Sequence, residues 1–219
     1  MPPKPRPTPR GDYVETETGN KVSRKAQLYG TQHIFLSGRA VIQPSVCIRG
    51  DLRASNPSSS SSSSTTTTTS STTTTTTNPT TTTTTTPAYN TSVTIGRYTF
   101  LSAGAVLRPP YRFHQGAVLY SPLKIGDHVF VGEGCVIEAA SVGDHVHVGK
   151  GAVVGRMAIV KDWVRVLEGA VVPAGMVVAS GSVVGGRPAR VVGEVGDGWG
   201  FHEGMEGGDM RELWRGVGS

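Results

Sequence analysis

The chain has 219 residues, of which 29 are Gly, 14 are Pro, 17% are charged and 6% aromatic, with a net charge of +5. That length holds one domain comfortably and two at most, and a chain so rich in turn-forming residues is neither a helical bundle nor a coiled coil. No stretch nears the roughly 20 consecutive apolar residues of a membrane-spanning helix, the start lacks the apolar core of a secretory signal, and no dense basic stripe supports nucleic-acid binding.

Residues 1–12, running PPKPRPTPR after the first Met, form a polyproline-like basic leader with nothing to bury, and disorder is expected there. The ladder that organises the chain begins at Leu36, Ile42 and Ile48, spaced by six. Between Ile48 and the next rung, Ile95, about forty residues intervene. Ser58 to Thr86 is Ser and Thr apart from Asn78 and Pro79, so residues 54–92 read as a disordered surface insertion with no core to offset its ordering entropy. The sequon Asn90-Thr91-Ser92 at its end is expected to stay unmodified.

The ladder resumes with Ile95, Leu101 and Leu107, then leaves the pattern over Arg108–Lys124, a projecting loop. It continues as Ile125, Val131 and Ile137, takes one five-residue step, and runs without a miss through Val142, Val148, Val154, Val160, Val166, Val172, Val178 and Val184. Small residues follow four later at Ala105, Cys135, Ala152, Ala158, Ala170 and Ser182. Glycine often comes directly after the rung, at Gly96, Gly126, Gly132, Gly143, Gly149 and Gly155, where it is expected to permit the turn.

A period of six fits neither a helix nor a hairpin strand; it is the mark of a parallel β-helix, with one short strand and one corner per unit and three units per coil. The chain is therefore all-β, a single-stranded parallel β-helix of five to six coils over 13–190. Three aliphatic columns descend from Leu36, Ile42 and Ile48, and the prism is about 25–30 Å tall at ~4.8 Å per coil. After Val184 comes the breaker GGRPAR, then a Gly-rich linker and a short helix within 191–219, spanning Asp209–Arg215 with Asp209 as its cap and placed to close the C-terminal end as a helical cap.

Hexapeptide repeats that end in Gly186-Arg187-Pro188-Ala189-Arg190 resemble the left-handed β-helix superfamily, which includes acyltransferases, gamma-class carbonic anhydrases and two subunits of the dynactin pointed-end complex. The strings YVETETGNKVSRKAQLYGTQHIFLSG, CIRGDL, VLRPPYRF, SPLKIGDHVFVGEGCVIEAASVGDHVHVGK and VLEGAVVP are similar to the dynactin subunit 5 family from Tyr13 to about Pro173, the insertion excepted. The resemblance implies the left hand of the coil. It also implies a non-catalytic scaffold without cofactor, paired with dynactin subunit 6 and placed beside the actin-related and large zinc-containing pointed-end subunits. Such a protein lies in the cytoplasm on the microtubule-associated dynactin complex, and helps dynein and dynactin engage cargo such as early endosomes through adaptor proteins.

Two enzymatic alternatives share the repeat. Arg49-Gly50-Asp51 and the Ile95-Gly96 and Ile125-Gly126 repeats also resemble gamma-type carbonic anhydrases, whose zinc needs three neutral imidazoles. Carried onto this chain, the ligand positions of that family are Arg108, Glu133 and Glu138, so no metal is expected, and Arg108 is expected to meet Glu138 directly. An acyltransferase would use one His as general base. His128 and His145, in the strings IGDHV and VGDHV, are expected to stack on neighbouring coils with His147 two residues on. A metal there is conceivable, but outward-pointing turn residues are the simpler account; His33, His114 and His202 are isolated. Cys47 and Cys135 form no CxxC pair and read as reduced structural thiols. On the projecting loop, Arg108, Tyr111, Arg112, Phe113 and His114 form either an interaction patch or a cluster that tucks the loop against the prism.

Overall fold

Two- and three-residue strands rich in Val and Ile recur at each rung of the ladder, because a β-branched side chain suits a pleated, half-buried surface. A computed structural model describes residues 12–52, 91–196 and 209–217. The leader except Asp12, the insertion as far as residue 90 and most of the Gly-rich linker lie outside the described residues.

Three parallel sheets enclose one core. The first stacks Leu36, Ile95, Ile125, Val142, Val160 and Val178 in register. The second stacks Ile42, Leu101, Val131, Val148, Val166 and Val184. The third stacks Ile48, Leu107, Ile137, Val154 and Val172. These are the three columns that the spacing implies, and all but Leu36 are buried. Ala105, Cys135, Ala152, Ala158, Ala170 and Ser182 fill the inward positions beside the corners and are buried too.

Four features differ from expectation. Within the span 13–190, two of the columns start a coil above Ile42 and Ile48: Lys21–Ser23 and Gln27–Tyr29 put Val22 over Ile42 and Leu28 over Ile48. The 3₁₀ turn Thr31–His33 lengthens the following interval and hides the period. Ser92 belongs to the prism, buried and donating its N–H to His33 O, so the insertion ends before it. The projecting loop is a β-hairpin, Tyr111–His114 against Ala117–Tyr120, whose two-residue turn has both Gln115 and Gly116 at positive φ, the geometry that suits the twist of a hairpin. It returns to the prism at Leu123, one residue short of the boundary drawn at Lys124. Finally, the chain continues as strand to Glu194: Ser182–Gly186 turns back at the cis Arg187–Pro188 bond and pairs antiparallel with Ala189–Glu194.

The helix Met210–Gly216 forms as expected, with the Asp209 carboxylate accepting from Arg211 N–H at 2.9 Å. Its position is not the C-terminal end of the prism. It covers an apolar strip on the outer face of the second sheet, Val41, Phe100 and Phe130, with Met210, Leu213 and Trp214 packed there. Lys21 Nζ donates to the Trp214 carbonyl at 2.8 Å and the Val217 carbonyl at 2.5 Å, satisfying the orphan end of the helix, and Trp214 Nε1–H donates to Gly19 O at 2.7 Å.

The glycines after the rungs also act differently from expectation. Gly126 has no positive φ; a Cβ there would meet the Asp144 carboxylate and come within 2.7 Å of the Gly143 carbonyl carbon. Side chains are excluded by the close passage of the next coil. The turns proper are made by left-handed residues such as Gly134, φ 64, with open space around it. Replacing Gly126 by Ala is therefore expected to cost about 3 kcal/mol through backbone overpacking, and Gly134→Ala about 1 kcal/mol from its left-handed φ. Urea denaturation of the two variants checks this order, and equal costs would refute it.

Candidate functional site

In-register stacking decides which functional side chains meet. Leu107 lies over Ile137, so the residues that follow them, Arg108 and Glu138, occupy the same place on adjacent coils. Arg108 Nη1 lies 3.2 Å from Glu138 Oε1, at the root of the hairpin, with side chains 45% and 21% exposed. One coil earlier the same column holds Arg49, whose Nε and Nη2 grip the Asp51 carboxylate at 2.8 and 2.7 Å. This double hydrogen bond holds Asp51 below the usual carboxylate range. Glu133 and Lys150 are likewise register-mates, with Nζ and Oε2 2.6 Å apart. Of the three positions matching metal ligands, then, two pair with each other and the third pairs with a lysine. Among the described residues no group of three His, Cys, Asp or Glu converges as a metal site.

The hairpin holds Tyr111 under Arg156, whose guanidinium carbon is 4.5 Å from the ring centroid, with Phe113 edge-on to Tyr111 at 5.7 Å and Tyr120 at 5.9 Å. Tyr111 thus ties the hairpin to the prism, whereas Phe113, 71% exposed, and Arg112 and His114 beside it point into solvent. The account in which the cluster tucks the loop against the prism therefore holds for Tyr111 and not for Arg112, Phe113 or His114.

Between the first and second sheets one corner carries a continuous planar stack. Tyr98, His128, His145 and Trp163 follow one another down four coils at centroid separations of 5.2, 4.8 and 4.1 Å, with interplanar angles of 22°, 4° and 6°. All four have left-handed backbones, φ 53–59, as does Arg39 before them. Preceding each imidazole and the indole, Asp127, Asp144 and Asp162 form their own column. Each carboxylate accepts the backbone N–H of the preceding coil, from Arg97 at 2.6 Å, Asp127 at 2.8 Å and Asp144 at 2.8 Å. His128 and His145 stack as expected; His147 belongs instead to the outer face of the second sheet, against Phe130 at 4.9 Å. Tyr98 and Trp163 escape a search for histidines and are found once every residue at the same repeat phase is read together. The two cysteines are free, and burial raises the Cys135 thiol, whose Sγ donates to Gly149 O at 3.0 Å.

The three-sided coil, the hexapeptide period and the closing antiparallel strand define a parallel β-helix, and its likeness to hexapeptide-repeat structures makes its class the left-handed one. Solved structures of that class include a variant of AntD, an N-acyltransferase from Bacillus cereus, with TM-score 0.54 and 11% identity over 86% of this chain and 93% of that one. A variant of perosamine N-acetyltransferase from Caulobacter crescentus gives TM-score 0.50 and 16% identity, covering 80% and 57%. Identities this low establish fold and nothing further. Residues 83–200 match the family described as dynactin subunit 5. A curated relative, dynactin subunit 5 of Dictyostelium discoideum, is 36% identical over 132 residues, which is 60% of this chain and 48% of the relative. The chain belongs to the dynactin subunit 5 family, and it spans about half the length of that curated relative.

Burial, and secondarily the neighbouring His128, lower the proton affinity of His145, with Asp144, Asp127 and Asp162 opposing. A histidine whose folded pKa is depressed stabilises the fold above its unfolded value of about 6.5. That contribution is lost as pH falls below this value, because the unfolded chain takes up the proton first. The melting temperature is expected to drop between about pH 7.5 and 5.5, and His145→Phe, which keeps the stack without the titration, is expected to flatten the drop. At the hairpin root, exposure limits the ion pair: a double-mutant cycle of Arg108→Ala and Glu138→Ala should give a coupling of at most about 1 kcal/mol, fading in high salt.

Proposed function

We propose that this protein is a non-catalytic scaffold and interaction subunit of dynactin's pointed-end complex. In this role it pairs with dynactin subunit 6, contacts the actin-related and large zinc-containing subunits, and presents a surface to cargo adaptors in the cytoplasm. Engagement of early endosomes by dynein and dynactin follows from that placement. The observation that carries the reading is the ion pair of Arg108 and Glu138 at positions where an enzyme of related fold would hold zinc ligands. A guanidinium is charged at every relevant pH, so it repels a divalent cation, and no Lewis acid or activated water can be assembled around it. Membership of the dynactin subunit 5 family supports the same reading.

A scaffold needs stiffness and a presented surface. Stiffness comes from the shared core of three sheets, and the hairpin supplies the surface, with Arg108, Tyr111, Arg112, Phe113 and His114 at its root and along its first strand. Arg and aromatic side chains are favoured where interfaces concentrate their binding energy, and a hairpin pinned by Tyr111 and Arg156 presents them with little ordering cost. Immunopurification of the tagged full chain from cells is expected to recover the other pointed-end subunits. Phe113→Ala is expected to reduce that recovery while changing folding stability by no more than about 0.5 kcal/mol. Full recovery by Phe113→Ala and Arg112→Ala together would remove the hairpin from the interface, and transfer of an acetyl group from acetyl-CoA by the purified chain would replace the scaffold reading.

A further inference from the structure

The hairpin of Tyr111–His114 and Ala117–Tyr120 forms a two-stranded sheet of its own. Ser121 N–H donates to Pro110 O at 2.8 Å, and the pairs that follow in register are Tyr111 with Tyr120, Arg112 with Leu119, Phe113 with Val118 and His114 with Ala117. Hydrogen-bonded and non-hydrogen-bonded pairs alternate along an antiparallel ladder. Counting from Pro110 and Ser121, the bonded pairs are Arg112 with Leu119 and His114 with Ala117. The N–H and C=O groups of Tyr111 and Phe113 therefore turn away from the second strand, toward the outer edge of the first. Among the described residues, no backbone group of another element bonds to that edge. The stem is fixed, with Pro109 and Pro110 buried and Arg156 over Tyr111, whereas residues 112–118 are exposed. A strand edge in this state is a template for a further strand.

We infer that the edge of Tyr111–His114 receives an extended segment of a partner protein as a third strand, with acidic and apolar side chains alternating along it. The inference rests on the reading of the hairpin as the surface this scaffold presents. Alternation follows from the two faces of the strand. Tyr111 and Phe113 lie on one face with Tyr120 and Val118 across from them, the rings of the first two meeting edge-on at 5.7 Å. Phe113 and Val118 are exposed, so this face offers apolar surface to a neighbouring side chain. Arg112 and His114 lie on the other face. From Arg108 to Lys124 the chain has no Asp or Glu, and the carboxylate that pairs with Arg108 belongs to the prism. A carboxylate on the added strand, opposite Arg112, completes a cross-strand pair. The same charges argue against a second copy of this chain, because pairing two such edges brings like charges together with no carboxylate on either strand. Main-chain bonds supply the affinity in an addition of this kind, and alternate side chains supply the specificity.

The test uses the full chain, ¹⁵N-labelled, titrated with the acetylated and amidated peptide Val-Glu-Val-Glu-Val-Glu. The comparison ligands are Val-Lys-Val-Lys-Val-Lys and two forms of the acidic peptide with alternate backbone nitrogens methylated, one form at Val and the other at Glu. The expected result is a saturable shift of the amide resonances of Arg112, Phe113 and His114 with the acidic peptide, slowed hydrogen exchange at Phe113, and little response to the lysine peptide. One methylated form is expected to lose binding and the other to keep it, since only one edge of the added strand meets the hairpin. Arg112→Glu is expected to weaken binding of the acidic peptide about threefold or more. Phe113→Pro removes an N–H that the hairpin itself does not use, and is expected to weaken binding beyond Phe113→Ala. Melting curves establish that the variants fold; if Phe113→Pro does not, the methylated peptides decide alone. Equal binding of the acidic and lysine peptides, or equal loss with both methylated forms, would overturn the inference. So would slow exchange at Phe113 in the chain without peptide, which shows the edge already paired within the chain or, where dilution abolishes it, by a second copy. Because the titration needs no other subunit, its failure while pointed-end subunits are still recovered removes the strand addition alone, whereas peptide binding without their recovery removes the scaffold reading alone.

Discussion

Parallel strands in register place every side chain over its counterpart on the coil before. Nearly all of this structure follows from that repetition at about 4.8 Å. Inward positions become columns of Val, Ile and Leu, because a mismatch in size at one coil is felt by both neighbours. Where the backbones themselves converge, glycine stands, and Gly126 is enclosed by the following coil. Charged residues obey the same rule: Arg108 with Glu138 and Glu133 with Lys150 are pairs created by register, and the Asp127, Asp144 and Asp162 column satisfies a backbone donor at each step.

The corners show how competing costs are resolved. A left-handed backbone costs a residue other than glycine roughly 1–2 kcal/mol. At the corner after the second sheet the chain avoids that cost with Gly104, Gly134, Gly151 and Gly169. At the corner before it, Tyr98, His128, His145 and Trp163 accept the strain. Stacked rings recover about 0.5–1.5 kcal/mol per contact, and each inner ring makes two such contacts. The three contacts together recover about 1.5–4.5 kcal/mol against about 4–8 kcal/mol for four left-handed residues, so the strain is only partly offset. Stability alone therefore does not explain why one corner is aromatic and another is glycine.

Much of this was legible in the sequence because the period is strict. Three columns, the two departures at Ile48 and Leu107, the Asp209 helix cap and the stacking of His128 on His145 follow from spacing and turn chemistry. Three kinds of feature did not emerge. The first coil was obscured when the turn at Thr31–His33 stretched one interval. The docking face for the C-terminal helix lies in Val41, Phe100 and Phe130, each one residue before an inward rung, where a search for inward positions passes over it. The aromatic corner needed residues of unlike chemistry to be compared at equal repeat phase, and a search by residue type separates Tyr98 and Trp163 from the histidines between them.

The scaffold account and the gamma-type carbonic anhydrase account of this fold part at Arg108. One coil architecture serves both, since similarity to N-acyltransferases extends over most of the prism, so the difference must lie in the side chains that the columns bring together. Here a fixed cation meets a carboxylate at two positions that the resemblance to gamma-type carbonic anhydrases matches to metal ligands. The most direct measurement is the zinc content of the purified full chain after zinc loading and dialysis, with its melting temperature recorded in the presence and absence of chelator. The account predicts substoichiometric zinc and an unchanged melting temperature. A stoichiometric zinc ion that chelator removes with loss of stability, accompanied by carbon dioxide hydration, would contradict it.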